Sequence, residues 1–254
     1  MSTSTGQGLV LGIDIGGSGI KGAPVDLDKG EFAAERVRID TPSKARPQDV
    51  AEIVAQIAED FADEVGQDSS VGVTVPAVVH HGVTKSAANI DDSWIDTDAD
   101  QLFTQVLGRP VVVMNDADAA GQAEMHFGAG HAQEGVVLLT TLGTGIGSAL
   151  FVGGQLVPNT ELGHLELDGE EAEHRAASSV REDKDLSWED WAERLQRFYR
   201  HVEDLLWPDL IIVGGGVSKK ADKFLPLLDL RTVIVPAHLR NDAGIIGAAW
   251  QASH

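Results

Sequence analysis

The sequence predicts an α/β protein of two lobes, because two glycine-rich turns of similar build lie about half the chain apart. The turns span residues 12–22 and 140–147, and each connects one short apolar strand to the next. Other apolar strands alternate with segments of helical periodicity. With 254 residues and 43% hydrophobic content, the chain can bury one large core or two modest ones. We expect one lobe over 1–114, completed by 241–254, and a second over 115–240.

The hydrophobic pattern predicts each element of the first half of the chain in turn. We expect strands over 9–13 and 20–26, a helix over 50–65, a strand over 71–79 that Pro76 interrupts, a strand over 111–114 and a helix over 118–127. The final apolar segment, 243–250, should form a helix that packs back on the first lobe. Polar side chains follow directly where a strand ends, since Asn115 and Asp116 come after the strand over 111–114.

The second half of the chain is predicted to contain a hairpin over 136–142 and 148–152, and a further strand is expected over 210–213. Ser187, with Asp190 three residues later, predicts the start of a helix. Ser218 is expected to cap another helix after the glycine segment 214–216. The helix after Ser187 has an apolar stripe that we assign to the core and to no cofactor: Trp191, Leu195, Phe198, Val202 and Leu205.

The net charge of −21 is concentrated in residues 1–174, whereas residues 175–254 carry 11 basic and 12 acidic groups. So acidic a chain repels nucleic acid and anionic membranes, and we expect neither as a partner. An anionic substrate should approach through the balanced last third, where ordinary solvated side chains are the alternative role for each cation. These cations are Lys219, Lys220, Lys223, Arg231 and Arg240.

Composition also indicates the cellular compartment and excludes some kinds of chemistry. The sequence has no cysteine, no charged leader before an apolar run, and no apolar stretch near the roughly 20 residues that cross a bilayer. We therefore expect a cytoplasmic protein without disulfides or thiolate catalysis. The missing cysteines also exclude a cysteine-ligated zinc, and the nine histidines show no metal-ligand spacing.

The glycine-rich turns are the first candidates for chemistry, because backbone amides without a neighbouring Cβ can approach an anion closely. Ser18, Lys21, Thr141 and Thr144 add hydroxyl and ammonium donors to these turns. The combination favours phosphoryl groups as ligands. An ordinary β-turn is the alternative for either turn alone.

Carboxylates and amides supply the remaining candidates. An alcohol that accepts a phosphoryl group needs a base, and we select Asp116, which follows a buried strand and Asn115. The alternative is that its carboxylate only caps the next helix. Glu161 and His164 flank Gly163, which permits a bend that points both side chains one way; a structural His–Glu hydrogen bond is the alternative. Asn89 offers a loop amide that can donate and accept hydrogen bonds; the alternative is an ordinary turn residue.

As a set, these motifs resemble the ROK family of sugar kinases, within the actin-like ATPase and hexokinase superfamily. The resemblance extends over essentially the whole chain, and segments 14–21, 115–116, 142–147 and 161–164 carry it in family order. It implies a two-lobed, ribonuclease H-like fold with a central cleft. It also implies that Asp116 deprotonates a sugar hydroxyl and that Asp14 helps to organise Mg²⁺.

The resemblance implies two sets of binding residues. Those for the sugar hydroxyls are Asn89, Asn115, Glu161, His164 and Glu166, the last in place of a glutamate that other members carry near a zinc loop. Those for the phosphoryl groups are Asp14, Gly16, Gly17, Ser18, Lys21, Thr141, Gly143, Thr144, Gly145, Gly215 and Gly216. Here the stretch 168–185 is charged and has no cysteine, which again argues against zinc.

Within the family, the chain resembles the compact, zinc-less polyphosphate glucokinases of actinobacteria. That resemblance implies phosphorylation of glucose at O6 by inorganic polyphosphate, in a homodimer. The alternative is an ATP-dependent or dual-donor glucokinase or glucomannokinase, since 214–216 would equally suit an adenosine. A sugar-responsive repressor of the same family is a further alternative, which the eight residues before Leu9 and the charge of −21 disfavour.

Overall fold

Two mixed sheets with the same pattern of strand directions organise the protein. The computed structural model describes residues 8–66, 68–87 and 90–254. The strands are β1 (Val10–Ile15), β2 (Ile20–Asp26), β3 (Glu31–Phe32), β4 (Val37–Ile39), β5 (Val71–Val75), β6 (Val79–His80), β7 (Val83–Thr84), β8 (Val111–Asn115), β9 (Val136–Leu142), β10 (Ile146–Val152), β11 (Gln155–Val157), β12 (Glu166–Leu167), β13 (Glu170–Glu171), β14 (Leu210–Gly214) and β15 (Val233–Pro236).

Helices connect and cover these strands. The α-helices are α1 (Pro47–Asp60), α2 (Ala99–Leu107), α3 (Asp116–Phe127), α4 (Ala172–Ala176), α5 (Ser178–Asp183), α6 (Trp188–Leu206) and α7 (Ala243–Ala252). Segments of 3₁₀ helix are Asp92–Trp94, Leu162–His164, Gly216–Lys223, Leu225–Leu227 and Arg240–Asp242. Among the helices that the structure describes, none combines the length and the apolar character needed to traverse a lipid bilayer.

The chain divides into two compact units, Met1–Ala123 together with Asp242–His254, and Glu124–Asn241. Most of α3 belongs to the first unit, whereas the lobe boundary expected from the sequence lies before that helix. The final helix α7 belongs to the first unit and packs against β1 and β5, which confirms the prediction for the last apolar segment.

Each sheet combines one antiparallel hairpin with parallel strands. In the first unit the order is β3-β2-β1-β5-β8, with β4 also on β2; β1 and β2 are antiparallel, and β1, β5 and β8 are parallel. In the second unit the order is β11-β10-β9-β14-β15, in which β9 and β10 are antiparallel and β9, β14 and β15 are parallel. Each glycine-rich turn therefore closes the corresponding hairpin, at the edge where the parallel strands end.

Glycines bring α7 unusually close to the first sheet. A Cβ on Gly12 would lie 2.0 Å from the carbonyl oxygen of Ile245, and one on Gly72 would lie 1.8 Å from that of Ala248. Gly247 of the same helix meets α3, because its Cβ would lie 1.7 Å from the carbonyl oxygen of Ala119. The helix thus fits between β1, β5 and α3 only because the residues at these contacts are glycines.

The first unit also confirms the amphipathic helix predicted after the first strands, with a different end. Val50, Val54 and Ile57 are fully buried on α1, as the spacing requires. The helix ends at Asp60, so the predicted extension to residue 65 is wrong. Phe61 and Val65 are nevertheless buried, in the turn that follows the helix.

The second unit is built around α6, which packs on its sheet. Ser187 caps this helix as predicted, since its Oγ accepts a hydrogen bond from Asp190 N at 3.0 Å. Trp191, Leu195, Phe198 and Val202 are buried, but Leu205 is 56% exposed and its assignment to the core is wrong. Tyr199 takes a buried place instead, where its hydroxyl and Thr140 Oγ1 are 2.7 Å apart.

The prediction that Ser218 caps a helix is also wrong. Ser218 lies inside the 3₁₀ segment, is buried, and donates its hydroxyl to Gly215 O at 2.8 Å. The helical segment begins earlier, at Gly216, because Gly215 ends the strand in a left-handed conformation with φ of 81°.

The close fit of α7 gives a stability prediction. Gly72→Ala should lower the free energy of unfolding by about 1–3 kcal/mol or more, because the new methyl group displaces the helix backbone. Urea denaturation followed by circular dichroism measures the loss. Gly216→Ala is the matched control, since nothing lies within 4 Å of the Cβ that it adds. Equal stability of Gly72→Ala and the wild type would contradict this account of the packing.

Candidate functional site

The first glycine-rich turn is a rigid bend between β1 and β2. Gly16 N donates to Gly19 O at 3.1 Å, and Thr41 Oγ1 donates to Gly16 O at 2.5 Å. Arg38 on β4 donates to Ser18 O at 2.7 Å, and its guanidinium covers Gly19. Nothing lies within 4 Å of a Cβ placed on Gly17, so the tip of the turn is open to a ligand.

Asp14 lies just before this turn and has two polar neighbours. Its Oδ1 accepts a hydrogen bond from Thr74 Oγ1 at 2.8 Å, and its Oδ2 is 3.5 Å from Lys21 Nζ. The Asp14 and Lys21 side chains are 18% and 24% exposed, so both reach solvent. A Cβ on Gly244 would lie 3.2 Å from Asp14 Oδ1, which shows how closely the start of α7 approaches.

Asn115 and Asp116 follow β8 at the same edge of the first sheet. Asp14, Thr74 and Met114 share one row across β1, β5 and β8, so the backbone of Met114, two residues before Asp116, lies two strand spacings, or about 10 Å, from that of Asp14. Asn115 Oδ1 accepts from Ala117 N and Asp118 N at 2.8 and 3.1 Å, and its Nδ2 donates to Ala77 O.

Asn115 therefore caps the start of α3. Capping this helix was the alternative role considered for Asp116. Asp116 Oδ1 accepts a hydrogen bond from Ala117 N at 2.9 Å. Asn89, expected to contact the sugar, lies outside the described residues.

The second glycine-rich turn is held by a neighbouring helix. Gly143 N donates to Gly145 O at 3.0 Å. Ser179 on α5 donates its backbone N–H to Gly143 O at 3.1 Å and its hydroxyl to Thr144 O at 2.7 Å. A Cβ on Gly143 would meet nothing within 4 Å. This turn therefore has a fixed backbone and an open outer face, like the first.

The triple-glycine segment lies beside the second turn. Thr141 on β9 pairs in register with Gly214 on β14, and a Cβ on Gly215 would lie 2.3 Å from Leu142 O. Gly216, like Gly143, has open space at its Cβ position. The structure thus brings together the predicted phosphate residues of this unit: Thr141, Gly143, Thr144, Gly145, Gly215 and Gly216.

Glu161 and His164 face each other across a short 3₁₀ turn, as predicted. Glu161 Oε2 is 3.8 Å from His164 Nε2. The turn is anchored to β10, since Leu162 N donates to Ser148 Oγ at 3.0 Å and a Cβ on Gly163 would lie 2.3 Å from Ile146 O. Gly163 is therefore required for close approach to β10.

Two glutamates that the sequence reasoning missed complete this cluster. His164 Nδ1 is 3.0 Å from Glu171 Oε2 and 4.0 Å from Glu173 Oε1. Glu173 also accepts from Ile146 N at 3.1 Å, which ties the cluster to the second glycine turn. Glu166, which was expected to contribute, is an exposed residue paired in register with Glu171.

The pKa values in the cluster shift in opposite directions. Burial raises the pKa of Glu161. The hydrogen bond to Glu171, with the negative charges around it, raises the pKa of His164 above its ordinary value of 6.5. The same hydrogen bond lowers the pKa of Glu171. The cluster therefore favours a charged imidazole between carboxylates, a suitable arrangement for several hydroxyl groups.

Sequence signals for the supporting residues are weak. Arg38, Glu173 and Ser179 contact turns that lie 20 to 35 residues away, and Glu171 contacts His164 seven residues away; none of the four belongs to a local motif. The charged run at 168–185 was the available signal, because charged side chains next to a polar cluster tend to pair with it.

Comparison with known proteins places these turns in a family. The ROK family model matches residues 10–179, which contain both glycine-rich turns, Asn115 with Asp116, and the 161–164 turn. The chain belongs to the ROK family. This confirms the resemblance inferred from the motifs.

Individual relatives of this ROK protein match nearly its whole length. It is 52% identical over 240 residues to the polyphosphate glucokinase of Mycobacterium tuberculosis strain CDC 1551 / Oshkosh, covering 94% of this chain and 89% of that one. It is 49% identical over 244 residues to the polyphosphate glucokinase of Mycobacterium leprae, covering 96% and 74% of the two chains.

A solved structure confirms the fold class. The inorganic polyphosphate/ATP-glucomannokinase from Arthrobacter sp. strain KM superimposes with a TM-score of 0.94 and 54% identity, covering 97% of this chain and 99% of that one. This ROK protein therefore has the two-lobed α/β sugar-kinase fold expected from its sequence.

The histidine cluster gives a prediction about pKa. Glu171→Gln should lower the pKa of His164, because it removes the hydrogen-bonded carboxylate that stabilises the imidazolium. Two-dimensional NMR of the imidazole signals against pH measures the change. Glu170→Gln alters an exposed neighbour on the same strand and should leave the titration in place. If His164 titrates alike in both variants, the assigned cause of its shift is wrong.

Proposed function

We propose that this protein transfers a phosphoryl group from inorganic polyphosphate to O6 of glucose. The observation that carries the proposal is identity of about half of all positions to two polyphosphate glucokinases over nearly the whole chain. The open glycine-rich turns and the carboxylate cluster supply the chemistry that such a reaction needs.

In this proposal Asp116 is the base. It takes the proton of the 6-hydroxyl as O6 bonds to the terminal phosphorus, and the bridging P–O bond breaks, which leaves a polyphosphate one unit shorter. Its position past the carboxyl end of β8 supports the assignment, since ligands of open α/β sheets bind at that edge. Capping by Asn115 gives the helix start a separate support.

The sugar ligands are proposed by analogy with the family pattern. Glu161 and His164 are candidates for the remaining hydroxyls, because a carboxylate accepts and an imidazole donates or accepts. Asn115 has its oxygen committed to the helix and offers an amide N–H. The full proposed set is Asn89, Asn115, Glu161, His164 and Glu166.

The phosphoryl ligands come from the turns. In the first unit they are Asp14, Gly16, Gly17, Ser18 and Lys21; in the second they are Thr141, Gly143, Thr144, Gly145, Gly215 and Gly216. Asp14 is the proposed Mg²⁺ ligand, because its carboxylate lies just before the open first turn and is 18% exposed, and proteins commonly hold Mg²⁺ through one or two carboxylates plus substrate phosphates. When bound, the ion would neutralise charge on the transferred group.

The chain is proposed to act without zinc. His164, Glu171 and Glu173 each place one ligand atom within 4.8 Å of the others. One imidazole and two carboxylates differ from the four Cys or His ligands usual in structural zinc sites. We also propose a cytoplasmic homodimer, as the family resemblance implies. The net charge of −21 supports the further proposal that neither nucleic acid nor a membrane is a partner.

A second candidate is a dual-donor glucomannokinase. The observation that favours it is the 54% identity to the Arthrobacter enzyme, an inorganic polyphosphate/ATP-glucomannokinase. The open space at Gly216 suits a nucleotide as well as a longer chain of phosphates.

Donor choice is tested with the purified wild-type protein. Polyphosphate as sole donor should give glucose 6-phosphate, detected by a coupled dehydrogenase assay. Product with ATP as well would establish the dual-donor candidate, and mannose in place of glucose tests the acceptor range. Product with ATP alone would reject the proposal in favour of an ordinary glucokinase.

The base is tested by Asp116→Asn. Loss of a general base should lower kcat by about 10²- to 10⁴-fold, with the KM for glucose little changed. Asp60→Asn, an equivalent change at the exposed end of α1, is the control. Steady-state kinetics at saturating polyphosphate decide the question, and near wild-type turnover in Asp116→Asn would remove that residue from the mechanism.

A further inference from the structure

Two cations in the second unit share one aromatic ring. Arg181 Cζ lies 3.7 Å from the centroid of the Trp188 ring, and Lys220 Nζ lies 5.9 Å from the same centroid. Arg181 Nε is buried, and no hydrogen-bond acceptor reaches it within the described part of the chain. Two cations on one ring, one of them with an N–H that lacks an acceptor among the described residues, form a site that attracts an anion.

Both cations belong to elements that hold the phosphate turns. Arg181 lies on α5, two residues after Ser179, whose backbone and hydroxyl donate to Gly143 and Thr144. Lys220 lies on the 3₁₀ segment that begins at Gly216. Since Gly215 abuts Leu142 of the second turn, the two elements start side by side and meet again at Trp188.

We infer that Arg181 and Lys220 bind the phosphate groups of the polyphosphate chain that lie beyond the group being transferred. This inference rests on the proposed function, because it assumes that the turns hold the reacting end of the donor. Every internal phosphate of polyphosphate is an anion. A chain that extends past the turns therefore binds more tightly when cations lie along its path beyond them.

The geometry favours a polyphosphate chain over a nucleotide base at this place. The Arg181 guanidinium covers a face of the Trp188 ring at 3.7 Å, so that face is occupied and does not stack on a base. Trp188 is also stacked on Phe224, with 15° between the rings. The ring therefore works as a support that fixes Arg181, and the exposed Lys220 adds a second charge.

The test compares Lys220→Gln and Arg181→Gln with Lys184→Gln, an exposed lysine just after α5 that contacts neither turn. In both test variants the KM for long-chain polyphosphate should rise by about 3- to 10-fold, as expected for loss of one charge contact. The KM for tripolyphosphate should change less, kcat and the KM for glucose should stay near wild type, and the difference should shrink as salt is added. Lys184→Gln should match the wild type.

A direct binding measurement tests this inference independently of the proposed function. Equilibrium dialysis of long-chain polyphosphate measures the affinity whether or not glucose is phosphorylated. Weaker binding by Lys220→Gln supports the inference even if ATP proves to be the working donor. Wild-type affinity in Lys220→Gln, or no binding by the wild-type protein, overturns it. Lys220→Gln decides the outcome, because Arg181→Gln also removes packing on Trp188.

Discussion

The structure depends on the contact between the backbone of α7 and the first sheet. The carbonyl oxygens of Ile245 and Ala248 occupy the positions where Gly12 and Gly72 would carry a Cβ. An apolar helix that covers β1 and β5 at this distance excludes water from the sheet and fixes the ends of both strands. The first glycine turn begins where β1 ends, so its position follows from this packing.

The same helix links the turn to the proposed base. Gly244 approaches Asp14, and Gly247 approaches Ala119, one turn of α3 after Asp116. Asp14 and Asp116 are thus positioned by one helix, although they lie on different elements and about 100 residues apart in the sequence. A phosphoryl transfer that relies on alignment needs such rigidity, because small displacements of reacting groups are costly.

Local patterns were sufficient for much of the fold, and long-range contacts explain what they missed. The hairpins, the capping residue Ser187 and the closing helix are properties of a few neighbouring residues, so the sequence predicted them. The exposure of Leu205 and the burial of Ser218 depend on which face of an element meets another one. For the same reason the motifs identified Glu161 and His164, whereas Glu173 becomes recognisable only once the fold brings α4 against β10.

The second glycine turn separates two kinds of charge. At the end of the turn, Glu173 accepts a hydrogen bond from Ile146 N and belongs to the carboxylate cluster around His164. At the start of the turn, Ser179 donates to Gly143 and Thr144 and belongs to α5, the helix that carries Arg181. Carboxylates suit a neutral sugar, whose hydroxyls donate to them, and repel a polyanion. Arg181 and Lys220, beyond the other end, are the cations inferred to attract that polyanion. In the proposed reaction, this separation of charge orients both substrates before they reach the turn, in a chain whose net charge of −21 alone would repel the donor.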